Sequence, residues 1–600
     1  MSLVIQKFGG TSVATSKKIL AAARRAIRAE KDGQQVVMVV SAMGKNTDML
    51  VELANEINER PPAREMDMLL STGEQVSVAL MAMAIDSLGH QAVSLTGSQI
   101  GIKTDSSHTK ARIRSISTER IKEILDDGKI VIAAGFQGID EDLNITTLGR
   151  GGSDTTAVAL AAVLEADTCE IYTDVDGVYT TDPRAVAEAR RVPQISYDEM
   201  LELASLGAGV MHSRSIEFAK KFSVPIHVRC SASDAPGTMI VATPEETGRP
   251  VCGAALTKDE AIVTVSDIPD VPGTSSEIFS RIARRTITVD MIVQNVGHGG
   301  KANISFTVLE AELEVTLDAV QSAVTALGGG SITSNSQVSK VSVVGLGMAK
   351  QTGVADQMFR TLAAAEINMH MITTSEIKIS ALVDRDSATR ALRAVHEAFQ
   401  LDHAAVGGQQ AVVKTGPATV GHDAVSVVDH LRAVDMEELV VDGIELDATQ
   451  SRVTVEAVPD TPGVAAGVFD EIAKAGVFVD MIIQSYGHEG LANLSFTVPR
   501  DSLDKSMQIA GRIAKKLNCA GVTNSPEIAK LSVSGIGLRS HTGVAIRMFK
   551  ALAEANINVE MINTSEMRVN VVVDGTHGEA ALEHLKGAFA DVLQRIDRSL

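Results

Sequence analysis

Six hundred residues, 45% hydrophobic and 22% charged, give a globular composition and an expectation of three to six domains. A formal net charge of −20 disfavours nucleic acid, whose phosphate backbone is bound through a Lys/Arg excess missing here. Cys169, Cys230, Cys252 and Cys519 show no CxxC spacing, so neither a disulfide framework nor a thiolate metal site is expected.

The chain enters a strand at Leu3-Val4-Ile5 without a signal-peptide pattern. No apolar run approaches the ~18 residues of a spanning helix, and the expected location is cytoplasmic. Residues 1–245 alternate β-branched runs with amphipathic stretches, the pattern of an α/β domain with a mainly parallel sheet. Residues 36–40, 129–134 and 169–173 read as buried strands, each followed by Gly, Ser or Asp. In open α/β sheets ligands collect at such carboxyl ends.

Three segments carry chemistry. Lys7-Phe8-Gly9-Gly10-Thr11-Ser12 runs from a strand through paired glycines toward a helix over residues 17–29. Glycines let backbone N–H groups close on a phosphate, the helix start adds partial positive charge, and Lys7 adds a mobile cation. The alternative is a plain glycine turn, and the Walker A spacing is absent. Thr147-Leu148-Gly149-Arg150-Gly151-Gly152-Ser153-Asp154 places a two-pronged carboxylate binder beside a helix start. Capping would account for Ser153 or Asp154 but not for the Gly-Arg-Gly-Gly before them. Residues 172–184, with Asp174, Asp176 and Asp182, lack the closing Glu of an EF-hand and read better as a nucleotide-facing loop.

Gly, Pro and Thr between 238 and 256 mark a junction. Beyond it lies a duplication with a period of 190 residues: Pro272-Gly273 returns as Pro462-Gly463, Asp290-Met291-Ile292 as Asp480-Met481-Ile482, Gln294 as Gln484, and Thr374-Ser375-Glu376 as Thr564-Ser565-Glu566. Solenoid repeats run ~20–50 residues, so this is a copied cassette rather than a solenoid. A weaker echo at half the period makes four small modules. The expected domains are 1–245 catalytic, 256–405 first pair of modules, 406–447 linker with a partly helical stretch, and 448–600 second pair.

Together with Ser41-Ala42-Met43-Gly44, Thr47, residues 66–74 and Val210-Met211-His212-Ser213-Arg214, these segments resemble the amino acid kinase family and, within it, the aspartate kinases. The cassettes resemble ACT modules. The resemblance implies an amino acid kinase fold with a mainly parallel central sheet, followed by four βαββαβ ACT modules. It implies ATP, carried with Mg²⁺ and without a metal site on the protein, and L-aspartate as acceptor. By resemblance Lys7, Arg150 and Asp154 are catalytic. Lys7, Phe8, Gly9, Gly10, Ser41, Thr173, Asp174, Tyr179 and Arg184 face ATP. Thr47, Glu74, Arg150, Gly151, Gly152 and Ser153 hold aspartate. A second phosphate-neutralising lysine common in the family is missing from residues 230–237, and Ser213 replaces a proline.

The resemblance further implies amino-acid effectors, lysine and threonine, bound where ACT modules pair, and hence a homodimer. Asp270, Gly273, Gln294, Asn295, Asn368, Ser375 and Glu376 are the candidate contacts in the first cassette, with Asp460, Gly463, Gln484, Asn558, Ser565 and Glu566 in the second. Two rival readings are another amino acid kinase and a catalytically weak amino-acid sensor. A fused homoserine dehydrogenase half is not expected.

Overall fold

The computed structural model describes residues 2–207, 210–245, 248–296, 300–351, 353–403, 436–437, 439–485, 490–538 and 543–593. The β-branched runs of the N-terminal domain form an eight-stranded sheet. Its spatial order is Gln194–Ser196, Thr238–Val241, Ile226–Cys230, Thr168–Thr173, Leu3–Phe8, Gln35–Val40, Ile130–Ala134, Ala92–Leu95. Thr238–Val241 runs antiparallel to Ile226–Cys230, and the other junctions are parallel. The central strands are buried nearly along their whole length because both faces are covered by helices, with Gln6 and Lys7 as buried polar residues in Leu3–Phe8. Leu3–Phe8 sits mid-sheet between Gln35–Val40 and Thr168–Thr173, so its carboxyl end opens where the chain direction around the sheet switches.

The helix Gly152–Val163 has Ala, Val, Leu and Thr on all sides instead of a polar stripe, and residues 152–162 are all buried. Its small side chains bring Ser153 and Asp154 close to the sheet. The helix Ala63–Ser87 is long and apolar enough by length and composition to cross a membrane, contrary to the expectation from apolar runs. It carries Asp67 and Glu74, both buried against the domain.

The duplicated half departs from the expected chain order. Residues 253–257 of the strand Gly253–Pro269 pair with residues 340–344 of Ser331–Val344, whereas residues 262–266 pair with 331–335. The first module (residues 260–336) is therefore nested inside the second (338–401), whose fourth strand is supplied from upstream. The second cassette repeats this nesting. Residues 440–447, expected in the linker, form the strand Val440–Asp447 paired with Ile528–Ile536. They belong to module 4 (528–589), while module 3 occupies 450–525. The linker's residues 406–435, where the partly helical stretch is expected, lie outside the described residues.

Modules share strands within a cassette and also meet their counterparts in the other cassette. Met371–Thr374 of module 2 pairs antiparallel with Ile482–Gln484 of module 3, joining the sheet shared by modules 1 and 2 to that of module 3 in one ten-stranded sheet. Phe359 packs on Phe469 at 5.5 Å between ring centroids, and Phe279 on Phe549 at 5.7 Å. Phe469 is the copy of Phe279 and Phe549 the copy of Phe359. Each contact is thus answered by its mirror, the isologous pattern of a twofold dimer built inside one chain.

Candidate active site and effector pockets

The strand Leu3–Phe8 delivers Lys7 to the switch point, where its Nζ lies 2.5 Å from Asp154 Oδ1, both side chains nearly buried. Gly9 donates to the Tyr172 carbonyl at 3.2 Å, and Gly44 to the Gly10 carbonyl at 3.0 Å. A Cβ on Gly10 would stand 2.7 Å from the Ala42 carbonyl oxygen, so only glycine lets this loop and the Ser41–Gly44 loop close together. Phe8 lies in the core with its ring stacked on Tyr172 at 4.7 Å.

Glu74 approaches from the helix Ala63–Ser87 and accepts from the Ala42 N–H at 3.1 Å through Oε1. Its Oε2 is buried with no hydrogen-bond partner among the described residues. Burial pushes the Glu74 carboxyl up to about 7, against the opposing pull of the Ala42 N–H. A desolvated carboxylate with one oxygen unsatisfied suits a cationic ligand group. Ser153 packs against Gly135 at the end of the adjacent strand, and Thr47 is half-buried near the start of Asn46–Ile57.

Gly149 and Gly151 take left-handed backbone at φ 76° and 73°, which turns the chain sharply around Arg150. A Cβ on Gly151 would collide with His212, and one on Gly152 would press on Phe136 at 2.8 Å. Arg150 itself is exposed and forms no ion pair among the described residues. Its charge and that of Asp154 both act on His212, whose protonation is held down chiefly by burial. One positioning group escaped the sequence reading. Asp67 is fully buried and accepts from Thr147 Oγ1 at 2.5 Å and from the Thr109 N–H at 3.0 Å, with His108 Nδ1 2.7 Å away. The only sequence signal was a carboxylate inside an apolar helix stretch.

The structure therefore brings Lys7, Gly9, Gly10, Ser41, Glu74, Ser153 and Asp154 to one end of the sheet. Thr173 ends the neighbouring strand and bonds exposed Asp174 at 3.1 Å. Tyr179 is turned onto Asp176 at 2.8 Å, and Arg184, largely exposed, forks onto Asp182. This loop is moored to module 2 through Thr180 Oγ1 and His396 Nε2, 2.9 Å apart, and through Arg393 Nε donating to the Ala185 carbonyl at 3.1 Å.

The effector candidates regroup across cassettes. Gln294 Nε2 donates to the Val559 carbonyl at 2.5 Å and Asn558 Nδ2 to Asp270 Oδ1 at 2.8 Å, joining modules 1 and 4. The mirror pocket joins modules 3 and 2, with Gln484 Nε2 on the Met369 carbonyl at 2.7 Å and Asn368 Nδ2 on Asp460 Oδ1 at 2.9 Å. Gly273 and Gly463 start the helices lying at these two pockets in left-handed backbone at φ 98° and 89°. The expected grouping of Gln294 with Asn368 is thus incorrect, because each cassette supplies half of both pockets. The side chain of Asn295 lies outside the described residues.

Ser375 and Glu376, like their copies Ser565 and Glu566, lie in hairpin turns, and Ser565 and Glu566 line a cavity between modules 1 and 4 together with Phe279, Asp290 and Thr564. Glu376 pairs with Arg568, and the Glu566 N–H donates to Glu202 of the catalytic domain at 3.2 Å. The pairing that led to the homodimer expectation is met within one chain.

Residues 2–230 match the amino acid kinase family model, and residues 341–399 and 531–589 match an ACT domain model. Fold and site together define an amino acid kinase that carries ACT modules. An aspartate kinase of Stutzerimonas stutzeri is 48% identical over 404 residues, covering 67% of this chain and 98% of the relative. The crystal structure of aspartate kinase from Synechocystis matches at 40% identity and a TM-score of 0.52 over 100% of both chains. Escherichia coli aspartokinase III in complex with lysine and aspartate matches at 25% identity and a TM-score of 0.53, covering 66% of this chain and 99% of that one. The chain belongs to the aspartate kinases.

Proposed function

We propose that the chain transfers the γ-phosphoryl group of ATP to the side-chain carboxylate of L-aspartate, giving β-aspartyl phosphate and ADP, the first step toward lysine, threonine and methionine in the cytoplasm. The observation that carries the assignment of groups is the Lys7–Asp154 pair at 2.5 Å, set in the glycine cradle beside the unsatisfied oxygen of Glu74. The acceptor carboxylate, with a reference pKa of ~3.9, is ionised at neutral pH and needs no general base. Rate enhancement then comes from positioning and charge neutralisation.

Lys7 neutralises the transferring phosphoryl group, oriented by Asp154. The backbone of Phe8, Gly9 and Gly10 with Ser41 lines the phosphates, and Thr173, Asp174, Tyr179 and Arg184 border the nucleotide. Glu74 takes the ammonium of aspartate and Arg150 its α-carboxylate, with Thr47, Gly151, Gly152 and Ser153 closing the pocket. Mg²⁺ carried with ATP binds through one or two carboxylates plus substrate phosphates. Asp154 and Asp174 are the carboxylates available, and the ion would offset phosphate charge.

The two inter-cassette pockets take amino-acid effectors, lysine and threonine, as feedback inhibitors. Support comes from their polar clamps and from the lysine complex of the Escherichia coli relative. Two sites that bias one equilibrium add their free energies, so the effectors together inhibit more strongly than either alone. The test is ATP turnover with L-aspartate, titrated with lysine and threonine singly and jointly. No turnover with aspartate overturns the reaction, and indifference to both effectors overturns the regulatory reading.

A further inference from the structure

We propose that Glu437, from the segment just ahead of the second cassette, is a positioning residue for the loop that presents Arg150. The proposal rests on the assignment of Arg150 to aspartate made above. Arg214 lies in the first turn of the helix Ser213–Lys221 with its side chain 15% exposed. Its guanidinium faces two ways. It donates to the Leu148 carbonyl and, at 2.6 Å, to the Ala111 carbonyl. Leu148 directly precedes Gly149-Arg150, and Ala111 is itself tied to that strand end by its N–H on the Thr147 carbonyl at 2.9 Å.

On its other side Arg214 meets Glu437. Nε and Nη2 both donate to Glu437 Oε2, at 2.9 and 2.5 Å, and the Glu437 side chain is only 9% exposed. The neighbouring Met436 is buried in the catalytic core, and its N–H donates to the Arg114 carbonyl at 3.1 Å. These two residues thus dock 223 positions away from Arg214 in sequence and immediately before the strand Val440–Asp447.

A nearly buried guanidinium holding two carbonyls keeps its direction only while a carboxylate opposes it. Without that charge it is left partly desolvated and seeks water, releasing the strand end. Since the flanking glycines give the loop little stiffness of its own, Arg150 depends on this clamp for its aim. A mere docking contact would alter stability or every kinetic constant alike. A positioning role alters the response to aspartate.

In the full-length enzyme, Glu437→Gln is expected to raise KM for aspartate about tenfold, the loss of one charge-assisted hydrogen bond, with kcat and KM for ATP little changed. Glu437→Asp should recover part of the loss. An unchanged KM for aspartate, or equal rises for both substrates, overturns the proposal. If Glu437→Gln does not fold, Arg214→Lys decides by the same measure, since it keeps the charge and loses the fork. Arg150→Lys separates the two readings. If it raises KM for ATP instead of aspartate, the assignment of Arg150 fails, whereas a rise for aspartate with wild-type behaviour of Glu437→Gln sinks the clamp alone.

Discussion

Asn558 donates to Asp270 at 2.8 Å across 288 residues of chain, so each effector pocket is a joint product of both cassettes. Removing one cassette removes half of each pocket rather than one whole pocket.

A chain ended at residue 405 is therefore expected to lose both effector responses as a monomer. The apolar faces around Phe279 and Phe359 would be bared, and a second copy can cover them in the same isologous manner. Inhibition by the effectors should become dependent on protein concentration in the truncated chain and stay independent of it in the full chain. Assays over a hundredfold concentration range with sedimentation in parallel check this, and concentration-independent inhibition by the truncated monomer contradicts it.

Among the copied positions where the two pockets differ, one bears on the glutamine. Ser275 Oγ donates to Gln294 Oε1 at 2.6 Å, whereas Ala465 provides no such donor to Gln484. Ala465→Ser is expected to engage that oxygen and weaken effector binding in the 3/2 pocket about fivefold, the worth of one neutral hydrogen bond. Calorimetric titration should show the 1/4 pocket unaffected.

Glu74 sets a pH dependence. Burial raises its folded value to about 7, so its favourable contribution to stability is complete below the ordinary carboxylate range and is lost as pH rises through about 7. Binding of the aspartate ammonium needs the ionised form. KM for aspartate should therefore rise as pH falls below about 7, by up to tenfold per unit, while KM for ATP does not follow. Glu74→Gln should raise KM above about pH 7 and flatten that slope; a retained slope assigns it to another group.

Lys7→Ala removes the cation from the cradle and is expected to lower kcat by at least about a hundredfold, close to 3 kcal/mol, with the fold retained. Near-normal turnover would remove Lys7 from the chemistry.

Lys378 and Arg568 are copies with unequal weight. Lys378 pairs with fully buried Glu202 of the catalytic domain at 2.8 Å, whereas Arg568 and its partner Glu376 are both substantially exposed. Lys378→Met should destabilise by about 3–5 kcal/mol by stranding the Glu202 charge. Arg568→Ala should cost less than about 1 kcal/mol. Denaturant midpoints of the two variants compare them directly.

Much of the catalytic end was legible because its signals are local. A β-branched strand, paired glycines and a helix start at Lys7–Ser12 already specify a cradle, and Gly149 and Gly151 specify a turn that L side chains rarely adopt. The period of 190 residues likewise stands in the sequence without any geometry. What lay beyond it were contacts between remote groups, such as Asp67 with Thr147 and Arg214 with Glu437.

The sequence by itself determined the strand-glycine-helix cradle, the Gly-Arg-Gly-Gly turn and the existence of two copied cassettes, since backbone propensity and periodicity are properties of neighbouring residues. Only the tertiary structure decided that Gln294 belongs with Asn558 and not with Asn368. Asn368 and Asn558 are copies of one another, so pattern and chemistry favour neither. The choice falls to the nested strand Gly253–Pro269 and to the Phe279–Phe549 and Phe359–Phe469 contacts, which bury one cassette's apolar face against the other's.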